Sequence, residues 1–326
     1  MKYRPLGQTG IRVSEVGLGC WQFGGDFGPV DSEDADATME GAIQVGINFF
    51  DTANVYGSGQ SESWIGNYLS KSRETVFVAT KYGRGPGVYP DGYSLAGMRQ
   101  QTIDAIERLR VEQLDLLQLH CVPTSILRRG EIFDWLRTLQ QEGLIAHFGA
   151  SVESVEEGLL CLEQPGITAL QVIFNLFRQK PAEELLPEAL KKNVGVIVRL
   201  PLASGLLAGK FTVQTQFPET DHRFYNRDGQ CFNVGETFAG LPFDKGVALV
   251  EPLKSLLPEG YSMVDLALRW ILDHEGVTTV IAGAKRVEQV IANTRSSRLP
   301  RLSAELHQQL ATYYQSQIRD HIRGPY

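Results

Sequence analysis

The sequence predicts an α/β fold, a (β/α)8 TIM barrel, on three observations. A short β-type run followed by an amphipathic helical stretch recurs along the chain, and that alternation requires parallel strands joined by helical crossovers. Eight such runs are present, the number that closes a barrel. No proline-rich or low-complexity linker separates them, and a single barrel can reach 326 residues. One domain over residues 1–326 is therefore expected.

The strand runs are residues 16–20, 47–51, 76–81, 114–120, 146–151, 169–175, 194–200 and 278–283. Helices fit the gaps at 32–45, 61–69, 94–110, 130–141, 154–162, 181–191, 262–274 and 286–294, most with a serine at the start. Ser262, with Asp265 three residues on and then Leu266, Ala267, Trp270 and Ile271, has the shape of a capped helix with one buried face. Residues 303–317, with Leu306, Leu310 and Tyr314 four apart, predict an extra C-terminal helix packed outside the barrel. Before the first run, residues 3–6 and 11–13 flank Gly7-Gln8-Thr9-Gly10, which predicts a β-hairpin plugging the barrel floor. Between the seventh and eighth strands the stretch 210–261 is too long for an ordinary connection and is expected to be a long functional loop.

Hydrophobic residues make up 43% of the chain and charged residues 21%, enough to build a core and to exclude wholesale disorder. A net charge of −7 with no block of like charges makes nucleic acid and anionic membranes poor partners. No apolar run reaches the roughly 18 residues of a membrane span, and the start has no signal-peptide core, so a cytoplasmic protein is expected. Cys20, Cys121, Cys161 and Cys231 form no CxxC, signal no metal site and are expected to be reduced thiols. The absence of a heptad pattern, with a barrel that buries its own edges, favours a monomer.

Reacting groups in a parallel barrel sit at the carboxyl ends of its strands. The second run ends at Asp51 with Tyr56 five residues on, the third at Lys81 and the fourth at His120. Singly, each has an ordinary reading: a cap, a core tyrosine, a solvated lysine, a satisfied histidine. Together, at three adjacent strand ends, they need internal pairing or a task. The chemistry they support is proton transfer to a carbonyl. The ammonium of Lys81 would lower the pKa of Tyr56, Asp51 would hold Lys81 charged, neutral His120 would donate to the substrate oxygen, and Tyr56 would give its proton.

The chain resembles the aldo-keto reductases, bacterial-type NADPH-dependent members included. The matching pieces are Gly17-Leu-Gly-Cys-Trp21, residues 46–57 with Gly59 and Glu62, Ala79-Thr-Lys-Tyr82, residues 114–120, Phe148-Gly-Ala-Ser151, residues 201–210, and residues 281–289 with Asn293. They run in order over nearly the whole chain. The resemblance implies a barrel that binds NADPH (NADP+) in an extended pose and reduces aldehydes or ketones to alcohols. It assigns Tyr56 as general acid, Lys81 and Asp51 as its tuning pair and His120 as the residue orienting the carbonyl. The early glycines, Gly17 and Gly19 followed by Cys20-Trp21-Gln22, break the GxGxxG pattern and exclude a Rossmann site.

For the cofactor, the resemblance maps Ser151 and Gln171 onto the nicotinamide carboxamide, with Asn175 close behind; Ser151 alone could instead be a helix cap. Trp21, Asp51 and Gly283 fall among the cofactor-facing positions. Pro201, Leu202, Ala203, Gly205 and Lys210 look like the pyrophosphate segment, and Arg223 of the long loop could clamp it. Lys285, Gln289 and Asn293 fall at i, i+4 and i+8 on one helix face. Lys285 and Arg286 at a helix N-terminus suit a 2′-phosphate, although two adjacent basic residues are also ordinary surface.

Two positions depart from the pattern. Arg199 stands where many relatives place an aromatic that stacks on nicotinamide; its planar guanidinium can stack too, or reach a phosphate or carboxylate. Val152 replaces a polar contact worth roughly 0.5–1.5 kcal/mol. The substrate pocket is expected to use Trp21, Tyr56, Tyr82 and His120, with Phe23, Val122, Phe224, Tyr225 and Phe232 as further apolar candidates or core residues; the particular small-molecule carbonyl stays open. Two other functions are compatible with the scaffold: a cofactor-sensing regulatory subunit resembling potassium-channel beta subunits, and a lyase or isomerase.

Overall fold

The computed structural model describes residues 1–326. An antiparallel hairpin, β1 (Tyr3–Pro5) and β2 (Arg12–Ser14), precedes a closed barrel of eight parallel strands. The barrel strands are β3 (Val16–Gly19), β4 (Phe49–Asp51), β5 (Phe77–Tyr82), β6 (Leu114–His120), β7 (Ile145–Ser151), β8 (Ile167–Ile173), β9 (Gly195–Arg199) and β10 (Thr279–Gly283), with β10 closing on β3. Helices α1 (Ser32–Gln44), α2 (Gln60–Leu69), α3 (Leu95–Leu109), α4 (Thr124–Arg129), α5 (Glu131–Gln141), α6 (Val155–Leu162) and α7 (Leu185–Lys191) join the first seven strands. The last connection carries α8 (His222–Tyr225), α9 (Phe243–Lys254) and α10 (Met263–Leu272), and α11 (Val287–Arg295) and α12 (Ala304–Tyr313) follow β10. No helix is long and apolar enough to cross a membrane.

Side chains alternate along each strand, so every barrel strand feeds two cores. The lower interior is packed by Phe49, Phe77, Ala79, Leu116, Ala169, Ile197 and Ile281, with Leu6 and Val13 rising from the hairpin. The hairpin thus plugs the floor as its sequence predicts. Its turn fits closely: a Cβ on Gly7, whose φ is +53°, would lie 2.5 Å from the carbonyl oxygen of Thr168. The opposite strand faces and the helices form the larger core outside the barrel.

Two residues above the apolar layer, the same inward faces carry Asp51, Lys81, Gln118, Gln171 and Arg199. The register staggers the strands around the barrel. Asp51 pairs with Ala79, two residues short of Lys81, and Lys81 pairs with Gln118, two short of His120. The fold therefore converts period-two alternation into one polar layer at the C-terminal mouth.

The predicted caps are present at Ser94, Ser154 and Ser303, and Ser262 and Asp265 form the full reciprocal capping box. Ser61 does not start its helix: Gly59 is the N-cap of α2, and the Ser61 hydroxyl donates to the Cys20 carbonyl, 2.9 Å away, inside the core. The supposed loop 210–261 contains the twelve-residue α9; its Gly246 and Pro252 conceal an apolar stripe that packs on the core at Leu249, Val250 and Leu253. A separate helix, α4, follows β6 where no helix is expected, and the helix predicted over 181–191 begins only at Leu185. The C-terminal helix is regular to Tyr313 and continues as a single π turn over Tyr314–Ile318.

Candidate active site

At the C-terminal mouth, Lys81 Nζ donates to Asp51 Oδ1 at 2.5 Å and to the Thr52 carbonyl at 2.7 Å, and reaches the Tyr56 hydroxyl at 3.4 Å. The His120 ring lies edge-on to Tyr56 with centroids 6.1 Å apart. Asp51 also accepts from Gln118 Nε2 at 3.0 Å and from Gln171 Nε2 at 2.7 Å, so its second oxygen is fully engaged. Gln118 escapes the motif-based reading, yet it stands two residues before His120 on the same strand face, a placement that period two alone would have given. Gln171, in turn, accepts from Ser151 at 3.4 Å. Ser151 ends β7 and the helix after it is capped by Ser154, so Ser151 is no cap.

Burial and charge act in opposite directions here. Burial pulls Lys81 toward neutrality, but adjacent Asp51 outweighs it and holds the ammonium above its usual range. Tyr56 reverses the expectation of a lowered pKa. Burial dominates the pull of Lys81, Asp51 and Glu236 add to it, and the phenol is pushed up to about 12. The lysine lowers that value but does not overcome desolvation. His120 is held neutral, as expected, well below its ordinary value by burial and by the cations of Arg84, Lys81 and Arg199; its buried Nδ1 has no partner in the protein.

A cleft of about 1120 Å³ opens above these groups. One wall is an ion-pair network of which the sequence singles out only Arg199. Arg84 binds Glu236 at 2.5 Å and Glu153 at 3.0 Å, while Arg199 lies 3.5 Å from both Glu236 and the Cys121 sulfur. Two flanking guanidiniums overcome burial and hold Glu236 down at about 2. The departure at Arg199 thus has a local partner set, and its buried Nε remains unpartnered. Only residue distances in space reveal this wall, because Arg84, Glu153 and Glu236 come from three separate connections and Arg199 from the end of β9.

The cleft continues past Trp21 along Pro201, Leu202, Gly205 and Arg223 to Gly283, Lys285 and Gln289. Leu200, Ala203 and Ser204 have φ of +53°, +49° and +55° and Gly205 +100°, winding this segment into a tight left-handed run of the kind stored at binding loops. Lys285 precedes α11, and its Nζ bonds the carbonyl of Phe27 and, at 3.3 Å, that of Gly28. The predicted shared helix face therefore holds only for Gln289 and Asn293. Gln289 accepts from the Lys285 amide at 2.7 Å, and Asn293 is buried below Gly283. Lys210 and Arg286 are exposed, and with Ala203, Ser151 and Asn293 they lie off the lining of the cleft.

The expectation that Tyr82 lines the substrate pocket is corrected. Tyr82 follows Lys81 on β5, so it leaves by the opposite strand face and packs outside the barrel against Tyr93, only 1% exposed. Phe23 and Val122 are likewise buried in the outer core, and Phe224 is 49% exposed outside the cleft. Trp21, Tyr56, His120, Tyr225 and Phe232 do line it. All four cysteines are free thiols.

The sequence profile described as the aldo/keto reductase family matches residues 15–315. The chain belongs to this family. Aldo-keto reductases are oxidoreductases that bind a nicotinamide cofactor, and an aldo-keto reductase is what the similar proteins are. The aldo-keto reductase YhdN of Bacillus subtilis (strain 168) is 28% identical over 333 residues, covering 100% of this chain and 97% of its own length. The holo form of aldo-keto reductase AKR11C1 from Bacillus halodurans superposes with a TM-score of 0.76 at 28% identity, over 96% of each chain. Glycerol dehydrogenase AKR11B4 from Gluconobacter oxydans superposes with a TM-score of 0.77 at 28% identity, over 97% of this chain and 96% of that one.

Proposed function

We propose that this aldo-keto reductase is an NADPH-dependent carbonyl reductase that acts as a cytoplasmic, monomeric, single-domain enzyme over residues 1–326. The observation that carries the reading is the convergence of Tyr56, Lys81, Asp51 and His120 at one mouth, with Lys81 Nζ within 3.4 Å of the Tyr56 hydroxyl. A nicotinamide cofactor fits the residues present. The cleft is large, and Arg199 Nε is a buried donor without a protein partner. When bound, the nicotinamide supplies the hydride.

In this reading Trp21, Gln171 and Arg199 hold the nicotinamide end, with Ser151 supporting Gln171. Leu202, Gly205 and Arg223 face the pyrophosphate and Pro201 and Ala203 shape that turn. Lys285, with Arg286, Gln289 and Asn293 around it, takes the adenosine end and its 2′-phosphate. Lys285 is drawn below its ordinary value by burial and by Arg223 and Arg286, which together outweigh the opposing pull of Asp221. His120, neutral, donates to the carbonyl oxygen and polarises it. Tyr56 then transfers its proton to that oxygen as charge develops there, and Lys81, held cationic by Asp51, stabilises the phenolate left behind.

Purified protein with NADPH and a panel of reactive aldehydes tests the reading: turnover is expected, with Tyr56→Phe removing it. A protein that turns over none of them, or is indifferent to Tyr56→Phe, refutes it. The preference for NADPH is checked by quenching of tryptophan fluorescence with NADPH against NADH.

A further inference from the structure

Trp21 and the long connection after β9 meet at a single carboxylate. Asp26 Oδ2 accepts from the indole Nε1 of Trp21 at 2.9 Å, and Oδ1 accepts from the Tyr225 hydroxyl at 2.6 Å. Its backbone carbonyl accepts from the His222 amide at 2.8 Å, next to Tyr225 in α8. No cation pairs with Asp26; His222, the titratable ring beside it, is kept below its ordinary value by burial. A half-buried carboxylate served by two neutral donors is oriented by both, because losing one leaves its charge under-solvated and free to turn toward water.

The two donors come from segments that lead to different parts of the cleft. The Trp21 ring lies parallel to Tyr56, with centroids 5.8 Å apart and planes at 20°, and forms the wall beside the proposed proton donor. Tyr225 belongs to the segment whose Arg223 sits over Phe27 and faces Gly205 at the pyrophosphate end. Besides Asp26, two rings link them: Phe232 lies 6.1 Å from Trp21 and 6.3 Å from Tyr225, and His222 of α8 packs on Trp21 with centroids 4.7 Å apart.

We propose that Asp26 is a positioning residue that couples the seating of the long loop over the cofactor end of the cleft to the orientation of Trp21 beside Tyr56. The bridge itself stands on the geometry alone; its consequence for turnover rests on the carbonyl reductase reading. When Tyr225 leaves Asp26, the carboxylate that anchors the indole is no longer fixed from its other side, so the carbonyl end is fully shaped only while the loop is down.

The bridge is tested in the protein without ligand, labelled with 5-fluorotryptophan. Trp21→Phe assigns the Trp21 resonance among the four tryptophans. Tyr225→Phe, which keeps the ring and removes only the hydroxyl, is expected to shift or broaden the Trp21 line and leave that of buried Trp270 in place. Asp26→Ala does the same, Asp26→Asn, which keeps an acceptor for the indole, does so less, and Tyr225→Phe adds nothing in the Asp26→Ala background. An unmoved Trp21 line overturns the proposal. An equal further shift in the Asp26→Ala background also overturns it, because transmission then runs through Phe232 or His222. In kinetics, Asp26→Ala is expected to speed NADPH release, and Tyr225→Phe to raise the KM for aldehyde more than it changes kcat, each by about fivefold or more. Release and KM both unchanged overturn the coupling. A Trp21 line that moves as described in a protein that binds neither nicotinamide cofactor keeps the bridge and refutes the reductase reading.

Discussion

Tyr56 is the residue on which the chemistry turns. Removing its hydroxyl with Tyr56→Phe is expected to lower kcat by at least about 100-fold, the lower range for a general acid, in an NADPH-oxidation assay. With its phenol at about 12 the acid form persists through the neutral and mildly alkaline range. His120 is neutral over the same range. Reduction is therefore expected to show no alkaline fall near neutrality, and to lose rate only as the pH climbs toward about 12, which a pH–rate profile checks. Lys81 is also structural. Lys81→Met would leave Asp51, 2% exposed, without its cation, and truncating one partner of a buried pair costs about 3–5 kcal/mol. The two amide donors on Asp51 place the loss toward the lower end, measurable by urea unfolding.

Among the elements, the connection after β9 is tied to the mouth of the barrel by Tyr225 on Asp26 and by Glu236 on Arg84, among other contacts. Glu236 is depressed from 4.5 to about 2. Its contribution is thus fully present above the ordinary carboxylate value and lost as the pH falls through that interval. Acidification is expected to free this connection, and limited proteolysis between residues 221 and 240 should accelerate below about pH 4 while the barrel stays protected. Arg84→Ala should produce the same cleavage at neutral pH. Gly24 offers a second test: a Cβ there would lie 2.6 Å from the Gly57 amide nitrogen, next to Tyr56. Gly24→Ala must displace one backbone against another, so it is expected to cost about 1–3 kcal/mol and to reduce turnover by moving Tyr56, read by thermal melting and kcat together.

For the whole molecule, a ligand that binds only the folded barrel stabilises it by about 2.7 kcal/mol at a hundred times its dissociation constant. NADPH is expected to raise the melting temperature more than NADH at equal concentration, and Lys285→Ala to narrow that difference; equal shifts by both cofactors in the wild type would remove the assignment of Lys285 to a 2′-phosphate.

Much of this architecture is legible in local sequence because its causes are local. Alternation of period two sets which side of each strand faces inward. That places Asp51, Lys81 and His120 at strand ends, and it would equally have excluded Tyr82 and included Gln118. Serine caps and the Ser262–Asp265 box are satisfied within one helical turn, so they too are readable. The hidden helix α9 and the buried role of Ser61 were not, because packing against distant residues overrides weak local preference at Gly246, Pro252 and Gly59. Tertiary structure alone decided the balance of burial against charge that raises Tyr56, the Arg84–Glu236–Arg199 wall, and the bridge from Trp21 through Asp26 to Tyr225. Desolvation and hydrogen bonding across 67, 152 or 199 residues of chain depend on where the barrel closes, and a linear pattern carries no distance between such positions.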